Sequence, residues 1–288
     1  MRISSRMFTD SALRSVRDGQ EQLNRLQEQV TTGKRIRKVS DDPIEAAQVM
    51  HMQSSLRQLA QYQRNATEAA TRLNTEDVTL TSARDLLEKA RDLAIGVQGM
   101  DRFSPDRQAA ITAIEQLRQQ LVSLANTRLG SEYIFGGGQT TTPPFLRDGT
   151  YVGDDTVRQV EIEDGLLVGT NHPGSAYFEG ALAGMAELER SLSAGTELQV
   201  SQAITGLEGA EDAMIQAQSE TGATLQQIQS TRESLAVRFA SLADQRDSLA
   251  LADPAQASIE VLASQSALER AYAAIGKVLS TSLLDYLK

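Results

Sequence analysis

Apolar residues recur at every seventh position through a long stretch of the first half of the chain. The recurring positions carry no polar residue: Met52, Leu59, Ala66, Leu73, Leu80, Leu87 and Ala94. A second row follows three residues later and is mostly small or apolar: Ser55, Tyr62, Ala69, Glu76, Ala83, Ala90 and Val97. Together these rows, here called the heptad stripe, have the spacing of coiled-coil a and d positions. The pattern predicts one long helix that packs lengthwise against a partner helix.

The predicted helix is too long for a compact globule. Neither Gly nor Pro occurs between Pro43 and Gly96, so the helix could reach roughly 75 Å at the usual rise per residue. A globular chain of 288 residues would be only about 50 Å across. We therefore expect a mainly α protein, built as an elongated antiparallel helical bundle or coiled coil from both ends of the chain. That architecture is more typical of a structural protein than of an enzyme.

The second half of the chain carries a matching row of apolar residues. Its members also step by seven: Ile228, Leu235, Leu242 and Leu249. We expect this helix, over residues 196–249, to be the partner of the first. Gly206, Gly209 and Gly222 weaken helix propensity upstream, which allows a break there. Further helices are predicted after Ser104-Pro105 and over residues 176–193.

Two Asp-Pro pairs predict where helices begin. In Asp42-Pro43 and Asp253-Pro254, the Asp side chain can cap the first turn, and Pro fits the first helical position. Glu45 and Gln256 follow each Asp by three residues. That spacing predicts a reciprocal capping box at both sites.

The two ends of the chain carry weaker helical patterns. The N-terminal pattern rests on four residues: Val16, Leu23, Leu26 and Val30. The C-terminal stripe is formed by Val261, Leu268, Ala271, Ile275, Val278 and Leu279. Such helices are marginal alone in water, so we expect both to stay disordered in the monomer until a partner covers them. Because each joins a long helix through an Asp-Pro pair, we expect the two ends to meet in one unit.

Between the helices lies a segment rich in Gly, Thr, Pro and Asp. Asp164-Gly165 between apolar runs predicts a hairpin turn, and Gly136-Gly137-Gly138 is most simply a flexible joint. The segment therefore predicts a small β-rich insert that leans on the helices. The expected domains are a terminal helical assembly domain (1–42 and 254–288), a long-helix domain (43–130 and 176–253) and the insert (131–175).

Composition and charge narrow the function classes. The net charge is −10, although residues 1–40 carry +5, so general nucleic-acid binding is not expected. The absence of Cys excludes disulfides and thiolate chemistry. The first residues lack the apolar stretch of a signal peptide, and no apolar run is long enough to predict a membrane span. Export, if it occurs, is expected to use another route.

Candidate chemistry is sparse. His51 and His172 are the two histidines, and neither has partners at metal-ligand spacing. We expect structural or solvent-exposed roles for both. The insert holds an acidic set: Asp148, Asp154, Asp155, Glu161, Glu163 and Asp164. The set lacks the order of an EF-hand, and turn formation explains it better than a cation. We therefore predict no enzyme activity, cofactor or metal.

Several motifs, in order along the chain, resemble the flagellin superfamily of bacterial flagellar proteins. Near the start they are Met1-Arg2-Ile3-Ser4, Thr32-Gly33-Lys34-Arg35-Ile36, Ser40-Asp41-Asp42-Pro43 and the run from Leu86 to Ala94. Later ones are Ala125-Asn126-Thr127, Tyr133-Ile134-Phe135-Gly136-Gly137 with Pro144-Phe145, and the run from Leu268 to Ser280. The short insert and the Met-Arg-Ile-Ser start favour the branch that joins hook to filament.

The resemblance implies a structural subunit that assembles as a ring through its terminal helices. It also implies export through the flagellar type III apparatus without a cleaved signal, and an extracellular location on the flagellum. The implied partners are other copies, the neighbouring hook-associated junction protein, flagellin and an export chaperone. Eight residues are expected at subunit contacts: Ile3, Leu23, Leu26, Val30, Leu268, Ile275, Val278 and Leu279. Gly33, Asp42 and Pro43 are expected to shape the bend between layers.

Three other interpretations stay open at this point. The chain could be a minor flagellin that polymerises into the filament itself. It could be an intracellular coiled-coil scaffold, which would have stable helical ends in the free protein. The third is an enzyme with a metal site on the acidic insert, which metal titration would reveal.

Overall fold

The computed structural model describes the backbone of residues 2–286 and the side chains of residue 7 and residues 10–277. Across this backbone lie six α-helices: α1 (Arg2–Thr32), α2 (Pro43–Gly96), α3 (Pro105–Ala125), α4 (Phe178–Ala194), α5 (Glu197–Ala250) and α6 (Pro254–Tyr286). Four short strands form two antiparallel pairs: β1 (Arg128–Leu129) with β2 (Glu132–Tyr133), and β3 (Gln159–Glu163) with β4 (Leu166–Gly169). The fold is mainly α with a small β-rich insert, as the sequence predicts.

The chain divides into two compact units. The terminal unit comprises residues 1–57 and 239–288, and the central unit comprises residues 58–238. Both boundaries fall inside the long helices α2 and α5, and the insert belongs to the central unit. The division into three domains that we drew from the sequence stays a prediction.

The heptad stripe supplies much of the core of the central unit. Leu73, Leu80 and Leu87 of α2 are fully buried. Leu80 and Leu87 share one apolar cluster with residues of α3, α4 and the first part of α5. Ile228 of α5 is also fully buried, and it packs with Leu73. Within the central unit, the predicted pairing of the two heptad rows is confirmed.

Helix α5 runs without a break through its three glycines. The open space around Gly206, Gly209 and Gly222 shows that no neighbour requires a glycine there. Each costs the helix about 1 kcal/mol relative to Ala. Buried neighbours on the same helix, including Leu207 and Met214, hold it against the core, and this packing outweighs the weak local propensity.

Aromatic residues attach the insert to the main apolar cluster of the central unit. Phe135, Phe145 and Phe178 are almost completely buried, and the Phe135 and Phe178 rings meet edge to face at 4.8 Å between centroids. The predicted hairpin is confirmed: Gly165 turns between β3 and β4 with φ +73°. The insert therefore rests on the first turn of α4 through Phe178.

The triple glycine is a tight turn and not the flexible joint we expected. A Cβ on Gly137 (φ +65°) would lie 1.9 Å from the carbonyl oxygen of Asp154, and one on Gly136 would lie 2.3 Å from that of Gln139. The Gly138 N–H donates to Asp154 Oδ1 at 2.7 Å. Two chain segments thus approach too closely for any side chain at these positions.

The acidic residues of the insert hold turns and pairs. Asp154 Oδ1 accepts from the N–H groups of Gly138 and Thr156, which lowers the pKa of its carboxyl. Asp148 accepts from the Thr150 N–H at 2.9 Å, and Glu163 pairs with Arg238 at 2.6 Å. Turn formation, the explanation we favoured, is thus seen at Asp148 and Asp154. Within the described residues, no three His, Asp or Glu side chains converge as a metal site.

Candidate assembly surface on the terminal helices

Helices α1 and α6 pack along one another in the terminal unit. Val16 and Leu26 of α1 and Leu268 of α6 are at most 9% exposed, and they line a shared groove. Gly19 lets the helices approach, because a Cβ built on it would lie 3.6 Å from Leu268 Cγ. The expected meeting of the two chain ends is therefore seen. Their disorder in the monomer stays a prediction.

The outward faces of these helices carry exposed apolar side chains. Six of the described residues share this property: Met7, Leu13, Val30, Ile259, Leu262 and Tyr272. Leu262 is 64% exposed and Ile259 is 62% exposed. Leu262 and Val30 border one open groove between α1 and α6. We call this set the outward stripe. Where exposed apolar side chains border one groove, as Leu262 and Val30 do, they are typical of a site that another chain covers.

The residues expected at subunit contacts fall into three groups. Leu26 and Leu268 are buried between α1 and α6 within the chain, and their expected contact with other copies stays a prediction. Leu23 and Ile275 are half-buried, and Val30 is exposed. The side chains of Ile3, Val278 and Leu279 lie outside the described residues.

Sequence reasoning missed most of the outward stripe. Ile259, Leu262 and Tyr272 fall outside the C-terminal row chosen for its heptad spacing. That row mixes the face that packs on α1 with flanking positions. The available signal was the presence of apolar residues on more than one face of α6, which indicates a helix with more than one neighbour.

The bend after α1 is hydrogen-bonded to the segment where α5 ends and α6 has not yet begun. Gly33 takes φ +68°, a left-handed conformation that ends a helix and that Gly adopts without strain. Its carbonyl accepts from the Ala252 N–H at 3.0 Å, and the Arg35 N–H donates to the Ala250 carbonyl at 2.8 Å. Lys34 thereby pairs with Leu251 as an antiparallel bridge.

Arg35 connects three parts of the terminal unit. Its backbone lies in the bend, and its guanidinium donates to the Leu249 carbonyl at 2.6 Å, near the end of α5. The same guanidinium pairs with Glu45 in the first turn of α2. One side chain thus links the bend to the end of one long helix and the start of the other.

Asp42 begins α2 as predicted. Its Oδ1 accepts from the N–H groups of Ile44 (3.1 Å) and Glu45 (3.0 Å), and Pro43 is the first helical residue. The capping box is wrong, because the Glu45 carboxylate pairs with Arg35 instead. A long-range ion pair thus replaces the local bond that the sequence predicted.

The second Asp-Pro pair behaves in the same way. Asp253 Oδ1 accepts from the Ala255 N–H at 2.8 Å and caps α6. The side chain of Gln256 donates to Glu260, one turn along, at 2.9 Å. The cap is confirmed, and the reciprocal bond from Gln256 is again absent from the described contacts.

Asp41 organises the turn before α2. Its Oδ2 accepts from the N–H groups of Lys38 (2.9 Å) and Arg37 (3.1 Å). These two bonds, with Lys38 the stronger, hold the pKa of the Asp41 carboxyl below its ordinary value. The basic segment after Gly33 is therefore ordered by an acidic residue of its own loop.

The mainly α fold with paired terminal helices and a small β-rich insert resembles the fold of flagellar hook-associated proteins. The profile of the bacterial flagellin N-terminal helical region matches residues 3–140. The chain is 32% identical over 183 residues to flagellar hook-associated protein 3 of Escherichia coli strain K12. That match covers 62% of this chain and 57% of the relative, so less than two thirds of the relative is spanned.

Solved structures show the same fold. FlgL of Bacillus cereus superposes with a TM-score of 0.62 and 23% identity, over 68% of this chain and 99% of that one. The flagellar junction protein FlgL of Legionella pneumophila superposes with a TM-score of 0.57 and 15% identity, over 70% and 99%. The resemblance expected from the motifs is confirmed: in sequence and fold, this chain is similar to hook-associated protein 3 of the flagellin superfamily.

A search of the described helices for membrane spans finds none with the necessary length and hydropathy.

Proposed function

We propose that this protein is a structural subunit of the bacterial flagellum that joins hook to filament. The observation that carries the proposal is the outward stripe on the paired terminal helices. Leu262 and Ile259 are both more than 60% exposed. Burial of either side chain against a partner would lower the free energy of the protein. The similarity to flagellar hook-associated proteins supports the choice of a flagellar structure as the place where they are covered.

In this proposal the apolar residues of α1 and α6 form two sets, one for contact within the chain and one for contact with other chains. In the assembled state, the buried set, including Leu26 and Leu268, holds α1 against α6 within one chain. The outward stripe meets other chains, and copies arranged as a ring would cover it from neighbour to neighbour. We assign the half-buried Ile275 to the same contact. Ile3, Val278 and Leu279, whose side chains lie outside the described residues, keep the contact role expected from the sequence. Gly33, Asp42 and Pro43 set the bend through which the terminal helices join the long ones.

The proposed partners are other copies of this chain, the neighbouring hook-associated junction protein and flagellin. A dedicated chaperone would cover the stripe before export, since exposed apolar helices aggregate. Export through the flagellar type III apparatus would place the protein outside the cell, on the flagellum. No catalytic step, cofactor or nucleic acid forms part of the proposal.

The test is to place a charge on the outward stripe. The double variant Ile259→Asp, Leu262→Asp is expected to abolish motility and filament attachment, while circular dichroism shows an unchanged central unit. The matched control is Leu198→Asp, since Leu198 is a leucine of α5 in the central unit with 68% exposure. Normal attachment in the double variant, or an equal loss in the control, would contradict the proposal.

A minor flagellin is the second candidate, because the matching profile is that of the flagellin N-terminal region. Deletion of the gene separates the two functions. Loss of a junction protein leaves hooks intact while flagellin escapes into the medium. Loss of a minor flagellin leaves the filaments attached.

A further inference from the structure

A carboxylate lies buried in the heptad stripe of α2. The Glu76 side chain is 1% exposed, and its Oε1 lies 2.5 Å from His172 Nδ1. The hydroxyl of Thr221, on α5, approaches the same oxygen at 3.5 Å. Glu76 Oε2 is buried and has no hydrogen-bond partner. A buried carboxylate is costly unless a positive charge accompanies it, and His172 is the group placed to supply that charge.

His172 lies where the insert returns to the helices. It follows β4 and precedes a short 3₁₀ turn (Gly174–Ala176) that leads into α4. Its ring is half-buried and meets the Tyr177 ring edge to face, with centroids 5.8 Å apart. Backbone bonds hold the segment on either side: Thr170 N–H to the Arg158 carbonyl at 2.8 Å, and Gly174 N–H to the Phe135 carbonyl at 2.9 Å. We call residues 170–177 the return segment.

The charges around the imidazole come from several elements. Glu76 faces it from α2 and Glu220 acts on it from α5, while Tyr177 contributes a neutral phenol from the return segment. Arg72, a basic residue one turn earlier on α2, pairs with Glu132 at 2.9 Å. The identified charges that act on the His172 ring are therefore negative.

The hydrogen bond to Glu76 raises the pKa of His172 above its ordinary value. Burial works in the opposite direction, and the charges of Glu76 and Glu220 add to the rise. Since the folded-state pKa is raised, the bond contributes its full stability below the unfolded pKa of about 6.5. That contribution is lost as the pH rises through the folded-state value.

We propose that protonated His172, bound to the buried Glu76 carboxylate, locks the return segment onto α2 and α5, and that loss of the proton releases the segment. In this account the lock is closed while the imidazole is protonated and opens as the pH rises through the His172 titration. It rests on the geometry of the central unit alone, so it stands whether or not the protein joins hook to filament.

Two measurements on the full-length chain test the lock. Proton NMR follows the imidazole signals against pH, and His51→Gln assigns the second histidine, which is exposed. In Glu76→Gln, which keeps the shape and removes the charge, the midpoint of the His172 titration is expected at lower pH than in the parent. An unchanged midpoint would overturn the proposal.

Amide hydrogen exchange follows the release itself. In the parent, the protection factors of Thr170 and Gly174 are expected to fall roughly tenfold across the His172 titration, the size expected for one charge-assisted hydrogen bond. Amides in α3 serve as the internal control, since they lie outside the return segment. The fall should vanish in His172→Gln, which stays testable if Glu76→Gln does not fold. An equal fall in both proteins would contradict the lock.

Discussion

The two units of this chain bury their side chains very differently. The central unit encloses large apolar residues completely, among them Phe135, Phe178 and Leu87. In the terminal unit, α1 and α6 bury a thin row that includes Val16 and Leu268, and they leave residues of the same size, such as Leu262, exposed to water. The central unit therefore has a large apolar core, whereas the described part of the terminal helices has only a thin one. Both units also expose large apolar side chains, such as Phe103 and Leu262. Under the function proposed above, the thinly packed terminal helices are the part that contacts other chains.

The largest loss of stability is expected from the replacement of Phe178, because its buried ring joins the insert to α4. Phe178→Ala should lower the free energy of unfolding of the central unit by about 3–5 kcal/mol. Urea denaturation followed by circular dichroism measures it. Phe103→Ala is the matched control, since Phe103 is 78% exposed in the same unit and should change stability by less than about 0.5 kcal/mol. Equal effects would contradict this view of the core.

Arg107 should give the next largest effect. Its buried guanidinium donates to the carbonyls of Leu192 and Met100, each at 2.8 Å. Arg107→Met keeps an apolar stem but leaves two carbonyls without donors, so it should cost the central unit about 1.5–3 kcal/mol. The exposed Arg102, changed to Met, is the control. A loss no larger than that of Arg102→Met would show that the buried bonds contribute little.

In the terminal unit, removal of the Asp42 cap should lower stability by less than the two changes above. Asp42→Ala removes the acceptor for two N–H groups of α2, which typically costs about 1 kcal/mol. Asp42→Asn keeps an acceptor and is expected to preserve most of that stability. Hydrogen exchange in the first turn of α2 distinguishes the two variants. Similar exchange in both would mean that the cap is not what holds this helix end.

The smallest effect is expected at the surface pair of Arg190 and Glu187 in α4. Both side chains are at least half exposed, and such pairs contribute about 0–1 kcal/mol. Arg190→Ala should therefore leave the urea midpoint of the central unit almost unchanged. A shift as large as that of Arg107→Met would reverse the ranking of buried over exposed contacts.

Local chemistry made much of the fold predictable. Asp42 and Pro43 begin a helix and Gly165 forms a turn through contacts with residues only a few positions away. These features could therefore be predicted from the neighbouring sequence. The heptad spacing likewise predicted that α2 would pack against a partner. These features depend on backbone geometry and periodicity, which the sequence carries directly.

Contacts between distant positions were not predictable in the same way. Glu76 and His172 lie 96 positions apart, and nothing near either residue indicates the other. Glu45 pairs with Arg35 and does not form the predicted bond to the backbone of Asp42, because the bend brings the Arg35 guanidinium close to its carboxylate. Glycine is needed at 137 because the folded insert brings the backbone of Asp154 against it. The sequence does not indicate that these two positions meet.

Residue-by-residue hydrogen exchange on the purified full-length monomer tests the central claim most directly. If the terminal helices await other chains, amides in about residues 1–40 and 255–288 should exchange nearly as fast as an unfolded peptide. Amides in the buried turns of α2 and α5 within the central unit should stay protected by several orders of magnitude. Equal, strong protection at both chain ends would contradict the account, since those helices would then be complete without a partner.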